Sequence, residues 1–184
     1  MDINISGILI ETDRLILRQW EESDLDDFYE YASVEGVGEM AGWPHHTCKD
    51  TSLKILATFI ADKNVFAVVY KASNKVIGSL GIHNSWAESD DKYSHLKTKQ
   101  LGYVLSKDYW GHGLMPEAVK AVMDFIFNNY DLDAITCGHY SINNQSRRVI
   151  EKSGFVFVSK SEYYSKQLQK SFDSMKYIFM RPLG

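Results

Sequence analysis

The segment Tyr109-Trp110-Gly111-His112-Gly113-Leu114-Met115-Pro116-Glu117-Ala118 constrains this 184-residue chain more than any other. It lies between an apolar run, Lys99 to Leu105, that reads as a strand, and a stretch from Pro116 to Asn129 with helical periodicity. Two glycines spaced by one residue allow a tight turn whose successive N–H groups point the same way. A helix N-terminus behind such a turn makes a preorganised anion site. Pro116 in the first helical turn loses nothing, because its N–H would have been an orphan there. A dinucleotide fingerprint would place a third glycine where Pro116 stands, and the Gly-Lys-Ser/Thr of a nucleotide-triphosphate loop is absent. A plain structural turn also accommodates two glycines, so the neighbouring segments must decide.

The remaining pattern is that of a mixed α/β protein. Arg14 to Arg18 reads as a first strand, and Ser23 as the N-cap of a helix over Asp24 to Ala32 with acids in its first turn. Gly36, Gly38, Gly42 and Pro44 break that pattern into a loop. Thr47-Cys48-Lys49-Asp50 has the form of a capping box opening a second helix through Ala61, with Leu53, Leu56 and Ile60 on one face. Val65 to Tyr70 and Lys75 to His83 read as strands joined by a turn at Asn74. Asn84 to Thr98 reads as a polar excursion. The Pro116–Asn129 helix buries Val119, Val122, Met123 and Ile126. Ala134 to Tyr140 reads as a strand, Asn144 to Ser153 as a helix stopped by Gly154, and Phe155 to Val158 and Ser174 to Met180 as final strands. Strands first, then strands alternating with helices, predict a mixed sheet flanked by helices. With no linker or repeat, residues 1–184 are expected to form one domain.

Composition narrows the class further. No run of eighteen apolar residues occurs, and Met1 to Gly7 lack the charged-then-apolar order of a secretory signal. Cys48 and Cys137 stand far apart, without a Cys-x-x-Cys or a His partner at metal spacing, so neither structural zinc nor a disulfide framework is expected. A cytoplasmic location fits. The net charge of −4 is unevenly spread: residues 1–50 hold twelve acids and three bases, and residues 51–184 twelve acids and seventeen bases. An acidic first third favours a cationic partner and a basic remainder tolerates a polyanion, unless both are solvated faces. No basic stripe of the nucleic-acid-binding kind is present.

A second segment, Asn143-Asn144-Gln145-Ser146-Arg147-Arg148-Val149-Ile150-Glu151-Lys152-Ser153-Gly154-Phe155, supplies the deciding context. Together with Leu101-Gly102-Tyr103-Val104-Leu105, the Trp110–Met115 turn and the opening Glu11-Thr12-Asp13-Arg14-Leu15-Ile16-Leu17-Arg18, it resembles the GNAT superfamily of acetyl-CoA-dependent N-acetyltransferases. Within it the chain is most similar to the ribosomal-protein-serine/alanine acetyltransferase branch. The resemblance runs from about Glu11 to Phe155. It implies a mixed, mostly antiparallel central sheet in which the strand at Tyr103 to Leu105 and the strand at Ala134 to Tyr140 splay apart to form the reaction slot. It implies that Trp110, Gly111, His112, Gly113, Leu114 and Met115 wrap the pyrophosphate of acetyl-CoA with their amides. Tyr103, Val104 and Leu105 would pair with the pantetheine arm as an added strand does. Asn143 matches the asparagine that holds the pantetheine, and Ser146 the serine near the sulfur; as residues, they also read as a helix cap and a solvent-facing first-turn serine. Dimers are compatible with the resemblance, which is their sole support.

Acyl transfer from a thioester to an amine needs a neutral amine, a polarised carbonyl and a proton for the leaving sulfur. A backbone N–H near Val104 or Leu105 is expected to meet the oxyanion. Many members of the superfamily protonate the thiolate with a tyrosine where this chain has Ile150, so Ser146 takes that place here, directly or through a water. The branch often carries a glutamate base where this chain has Gln100, a neutral amide able to orient a water or a substrate N–H but not to accept its proton. His83, Glu88, His139 and Tyr140 are the candidate substitutes. A lysine amine is neutral only about once in two thousand molecules at pH 7, an α-amine roughly one time in ten. A missing general base, typically worth about 10²–10⁴ in rate, is borne more easily with an α-amine. The expected acceptor is therefore an N-terminal α-amine of a peptide or protein, or a small amino compound, attacked directly without a covalent enzyme intermediate. Cys137 sits mid-strand without a base partner. The acceptor site is expected around Met40 to His46, lined by Trp43, Phe28, Tyr29 and Tyr31, with His83 nearby and Glu35 or Glu39 drawing in a cation. An aromatic core under a glycine-rich loop explains the same residues. No third ligand accompanies His45 and His46, so no metal is expected. A non-catalytic acyl-CoA-binding module is the alternative that Gln100 and Ile150 keep open.

Overall fold

The computed structural model describes residues 2–182; Met1 and the last two positions of the expected 1–184 domain lie outside the described residues. Eight strands form one sheet: β1 (Ile10–Glu11), β2 (Leu15–Gln19), β3 (Val65–Tyr70), β4 (Lys75–His83), β5 (Thr98–Leu105), β6 (Ala134–Tyr140), β7 (Val156–Ser165) and β8 (Lys170–Met180). Their spatial order is β1-β2-β3-β4-β5-β6-β8-β7. All neighbours are antiparallel except β5 and β6. Helices α1 (Leu25–Ala32), α2 (Lys49–Asp62), α3 (Leu114–Asn129) and α4 (Asn144–Lys152) cover the two faces. β5 and β6 can run parallel because α3 lies in the crossover between them. No described helix is long and apolar enough to cross a membrane.

Alternation along the strands sorts the core into two clusters. Leu15, Leu17, Phe66, Val68, Leu80, Ile82 and Leu101 pack against the α3 residues Ala118, Val119, Val122, Met123 and Ile126. Ala67, Val69 and Val76 face the opposite way, onto Trp20, Phe28, Tyr31 and Leu56 of the α1–α2 layer. β3 is therefore apolar at nearly every position, as a strand covered on both faces must be.

The strand spans expected for β3, β4 and β6 are found as read; α3 begins at Leu114, two residues before the expected Pro116, and four further details differ. Ser23 does not cap α1: Asp24 is buried beneath Arg18 with paired hydrogen bonds of 2.8 Å, and the Glu21 N–H donates to Asp24 at 2.8 Å. Those contacts wind a 3-10 turn, Glu22–Asp24, ahead of the helix, with a Glu21/Asp24 capping box. α2 starts one residue late, with Cys48 at the N-cap and no side-chain cap bond. His46 explains the shift, because its N–H is held by the Ala32 carbonyl and its ring by the buried Ser52 hydroxyl, at 2.8 and 2.7 Å. The inward stripe then becomes Ser52 and Leu56, leaving Leu53 48% exposed. The last two strands extend into a long hairpin whose tip rises beside the open end of the sheet.

Candidate active site

β5 and β6 are paired only at Thr98↔Ala134, Lys99↔Ile135 and Gln100↔Thr136. Their closed end is pinned by side chains, with Ser85 and Thr136 hydroxyls 2.8 Å apart and Thr136 Oγ1 donating to the Lys99 carbonyl at 3.3 Å. Beyond Gln100 the strands splay. β5 keeps its bonds to β4 through Leu105, and β6 its bonds to β8 through Tyr140. The inner edges face a cavity of about 650 Å³ that runs from the Gly111–Pro116 turn through the gap to the β7–β8 hairpin. Peptide groups alternate sides along a strand. The Leu101 carbonyl accepts the Cys137 thiol at 3.3 Å and the Leu105 carbonyl accepts the Trp110 indole N–H at 2.8 Å. The Val104 carbonyl instead lies against Gly78 on β4. The odd-numbered residues of β5 thus turn their peptide groups toward the gap, which makes Leu105 and Tyr103, rather than Val104, the strand's free donors there.

The turn has the geometry an anion site requires. Gly111 and Gly113 adopt φ of +82° and +74°, where a side chain is strained. A Cβ added at Gly111 would meet nothing within 4 Å, so the space ahead of the turn is open. Gly113 is the N-cap of the sixteen-residue α3 and no side chain caps it, leaving first-turn amides without a partner. Leu114 and Met115 bury their side chains in the core and offer only their backbone. His112 is exposed, with its carbonyl accepting Arg14 Nη1 at 2.9 Å, and its side chain does not line the cavity. Arg14 is in turn bonded to Glu117 through Nε at 2.7 Å, and Thr12 donates to Glu117 at 2.6 Å. Burial raises the Glu117 pKa, but hydrogen bonds from Thr12 and Arg14 outweigh it and hold the carboxylate below its usual range. The opening segment therefore clamps the turn from behind.

α4 brings Ser146 under the gap, where its hydroxyl lies 2.9 Å from the Tyr103 hydroxyl. Burial, with the neighbouring Cys137, pushes the Tyr103 pKa well above 10, so this phenol stays protonated. Asn143 caps α4: its Oδ1 accepts the Ser146 N–H at 3.0 Å, and its Nδ2 donates to the Met40 carbonyl at 3.2 Å. Cys137 is buried, and burial lifts its pKa to about 12, which leaves a thiol and no nucleophilic thiolate at neutral pH. Ile150 is buried in the core.

On the α1–α2 face Gln100 lines the cavity, with Oε1 accepting the Trp86 backbone N–H at 3.3 Å and its NH₂ group still available. His83 lies opposite Gln100 in the β4–β5 register, outside the cavity lining, with its ring against Gly81 and Gly102. That packing and the Lys99 charge lower its pKa although an edge stays exposed. Both nitrogens of His139 are engaged, Nδ1–H donating to the Tyr140 carbonyl at 2.7 Å and Nε2 accepting from the Tyr177 hydroxyl at 3.2 Å. Tyr140 is raised to about 12 by burial and by Tyr163, and Glu88 serves as a cap, accepting the Ser85 N–H at 3.4 Å.

The other residues expected at the acceptor site are placed differently. Tyr31 is 2% exposed, inside the α1–α2 core, and neither it nor Trp43 lines the cavity. Trp43 packs on His46 at 5.0 Å between centroids. Glu39 spends its carboxylate on the loop, accepting the Gly36 N–H at 2.7 Å, the His45 N–H at 3.0 Å and the His45 ring N–H at 2.8 Å. Burial raises its pKa, and the His45 and Gly36 bonds overcome that and bring it down to about 2. Instead Val37, Met40 and Ala41 reach the cavity from this loop. Glu39→Ala is expected to lower stability by about 1–3 kcal/mol, from the bonds to a charged acceptor, read as a shift in the urea midpoint at unchanged slope. Sequence reasoning also missed Trp86, Lys176, Arg148 and Lys152, which line the cavity. The i, i+4 spacing of Arg148 and Lys152 on α4 was the available signal.

The sequence profile described as the Acetyltransferase (GNAT) domain matches residues 14–156. The chain is 23% identical over 179 residues to the uncharacterized N-acetyltransferase YoaA of Bacillus subtilis, covering 95% of this chain and 97% of that one. Among solved structures, a GNAT-family acetyltransferase from Bacillus anthracis superimposes with a TM-score of 0.81 at 21% identity, over 94% of this chain and 98% of the other. RimL, a ribosomal alpha-N-protein acetyltransferase in complex with coenzyme A, superimposes with a TM-score of 0.73 at 16% identity, over 94% and 98% of the two chains.

Proposed function

This chain belongs to the GNAT acetyltransferase family and is an acetyl-CoA-dependent N-acetyltransferase, and we propose that its acceptor is an α-amine at the N-terminus of a peptide or protein or on a small amino compound. The observation that carries this reading is the continuity of the cavity. It joins the uncapped α3 N-terminus to a gap whose two walls are the Tyr103–Ser146 hydroxyl pair and Gln100. RimL, an alpha-N-protein acetyltransferase, shares the fold and supports the same acceptor class.

The open turn fits a pyrophosphate: the amides around Gly111 to Met115 would hold it at the positive end of α3. Arg148 and Lys152 would add charge on the same side, and the gap-facing peptide groups of Tyr103 and Leu105 would align the pantetheine arm. Acetyl-CoA supplies the acyl group and leaves as the thiol. The Tyr103 N–H, nearer Gln100 along β5, would face the carbonyl oxygen as charge develops there. Ser146, backed by the protonated Tyr103, would donate the proton that the sulfur takes up when the C–S bond breaks. Gln100 would orient the attacking amine, whose proton passes to water as the C–N bond forms, and a proton from solvent then restores the Tyr103–Ser146 pair. With an amide in place of a carboxylate, an already neutral amine is favoured. Asn143 would position Ser146 while tying the α4 N-terminus to the loop at Met40.

Peptides with a free N-terminus and Nα-blocked peptides with one lysine, assayed side by side at pH 7, test the acceptor class. The α-amine should be turned over about two hundredfold faster, following the neutral fractions. A preference for lysine would sink the proposal.

A further inference from the structure

The acceptor face of the gap carries a cation that acetyl transfer leaves unused. Lys176 on β8 is the Cα partner of Gly138 on β6 and lines the cavity. It is half-buried, and among the described residues it takes part in none of the ion pairs. Lys160, on the neighbouring strand, has Asp173 at 2.8 Å. Lys176 Nζ instead stands 5.1 Å from the Trp86 ring centroid. The Trp86 backbone is held by Gln100. Trp86 therefore lies between the two groups, with its backbone on the Gln100 amide and its ring beneath the Lys176 ammonium, and Gly138 places no side chain beside Lys176. The one acid that lines the cavity among the described residues is Glu162, exposed on β7 and accepting the Ser171 hydroxyl at 3.2 Å.

We propose, on the basis of the acetyl-transfer reading above, that Lys176 is a carboxylate-recognising residue of the acceptor site, and that the preferred acceptor is an α-amine with a carboxylate close by, as in a peptide whose second residue is Asp or Glu. A cation over an indole is held in place by the ring quadrupole, yet its donors stay free for a charge-assisted bond to an anion. The path from the Gln100 amide across Trp86 to the ammonium spans at most roughly 13 Å, the reach of two to four residues of extended chain. An amine placed at Gln100 thus leaves the side-chain carboxylate of the next residue within reach of the ammonium. Neutral and basic second residues would leave the lysine unpaired or repelled, so the site discriminates by loss as well as by gain.

The test is a calorimetric titration of the protein, saturated with coenzyme A, with Ser-Glu-Ala-Ala-amide and Ser-Gln-Ala-Ala-amide. Free glutamate is a third arm that separates a small-molecule source of the same chemistry from a peptide. The Glu peptide should bind roughly tenfold tighter, as one charged hydrogen bond predicts. In Lys176→Met, shown by thermal melt to be folded, the ratio should fall to within about twofold. Lys176→Arg should retain the preference for the Glu peptide. Equal affinities in the unaltered protein, or a ratio that survives Lys176→Met, would overturn the assignment. Turnover is measured separately. The Glu preference without acetylation of either peptide would remove the acetyl-transfer reading while the carboxylate site stood.

Discussion

A Gly113→Val variant is expected to bind acetyl-CoA about a hundredfold more weakly than the unaltered protein, because two or more charge-assisted amide bonds of roughly 1.5–3 kcal/mol each would be misaligned. Gly113 sits at φ +74° and closes the turn as the N-cap of α3. A β-branched residue there must leave the left-handed region or remain in it at a strain of about 1–2 kcal/mol. If it leaves, the amides behind it rotate away from the space ahead of the turn. If it stays, melting falls by only about 2–8 °C for a chain of this length. Isothermal titration with acetyl-CoA reads the first effect and a thermal melt the second. A folded variant whose affinity changes less than threefold would mean that the turn is structural and the pyrophosphate is held elsewhere.

The second large effect concerns the reaction itself. Tyr103→Phe should lower kcat by about 10²-fold, the lower end of general-acid contributions, with acetyl-CoA affinity changed far less. The Tyr103 hydroxyl contacts Ser146 at 2.9 Å and its ring also packs against the core, so Phe keeps the shape and removes only the donor. Ser146→Ala should show a similar loss, and the double variant little more, since residues acting as one donor are not additive. The pH profile provides an independent check. Burial raises the Tyr103 pKa well above 10, so the donor form persists through neutral and mildly alkaline pH. The rising limb of kcat/KM should therefore follow deprotonation of the α-amine near pH 7.7–8, with no fall from Tyr103 below about pH 10. A fall beginning near pH 8 that disappears in Tyr103→Phe would show that this phenol is not held protonated as described. Additive losses in the double variant would separate the roles of the two hydroxyls.

How much of this was legible beforehand depended on how local the causes are. Period-two and period-3.6 patterns act over a few residues, so β3, β4, β6 and the buried face of α3 could be read directly. The Gly-x-Gly turn was legible for the same reason, since positive φ is a property of the residue itself. Helix starts were less so. Ser23 was displaced by the Arg18–Asp24 contact, and the apparent box at Thr47 to Asp50 by the anchoring of His46. In each case a cap was chosen by a partner that sequence periodicity cannot see.

The site divides along the same line. The backbone elements that would meet acetyl-CoA were determined by sequence, because they are glycines at one turn and a strand whose peptide groups alternate regardless of side chain. The aromatic and acidic residues of the 36–46 loop have residue types suited to an acceptor pocket, yet the fold commits Tyr31 to the α1–α2 core and Glu39 to the His45 and Gly36 bonds. Tyr103 reaches Ser146, and Lys176 reaches Trp86, only because β5, α4 and β8 are brought together from positions far apart in the chain. Short-range conformational preference thus determined the fold class and the open Gly-x-Gly turn. Which side chains share the space around the gap was decided by tertiary structure, since contacts between distant segments follow from how the sheet splays and what packs against it.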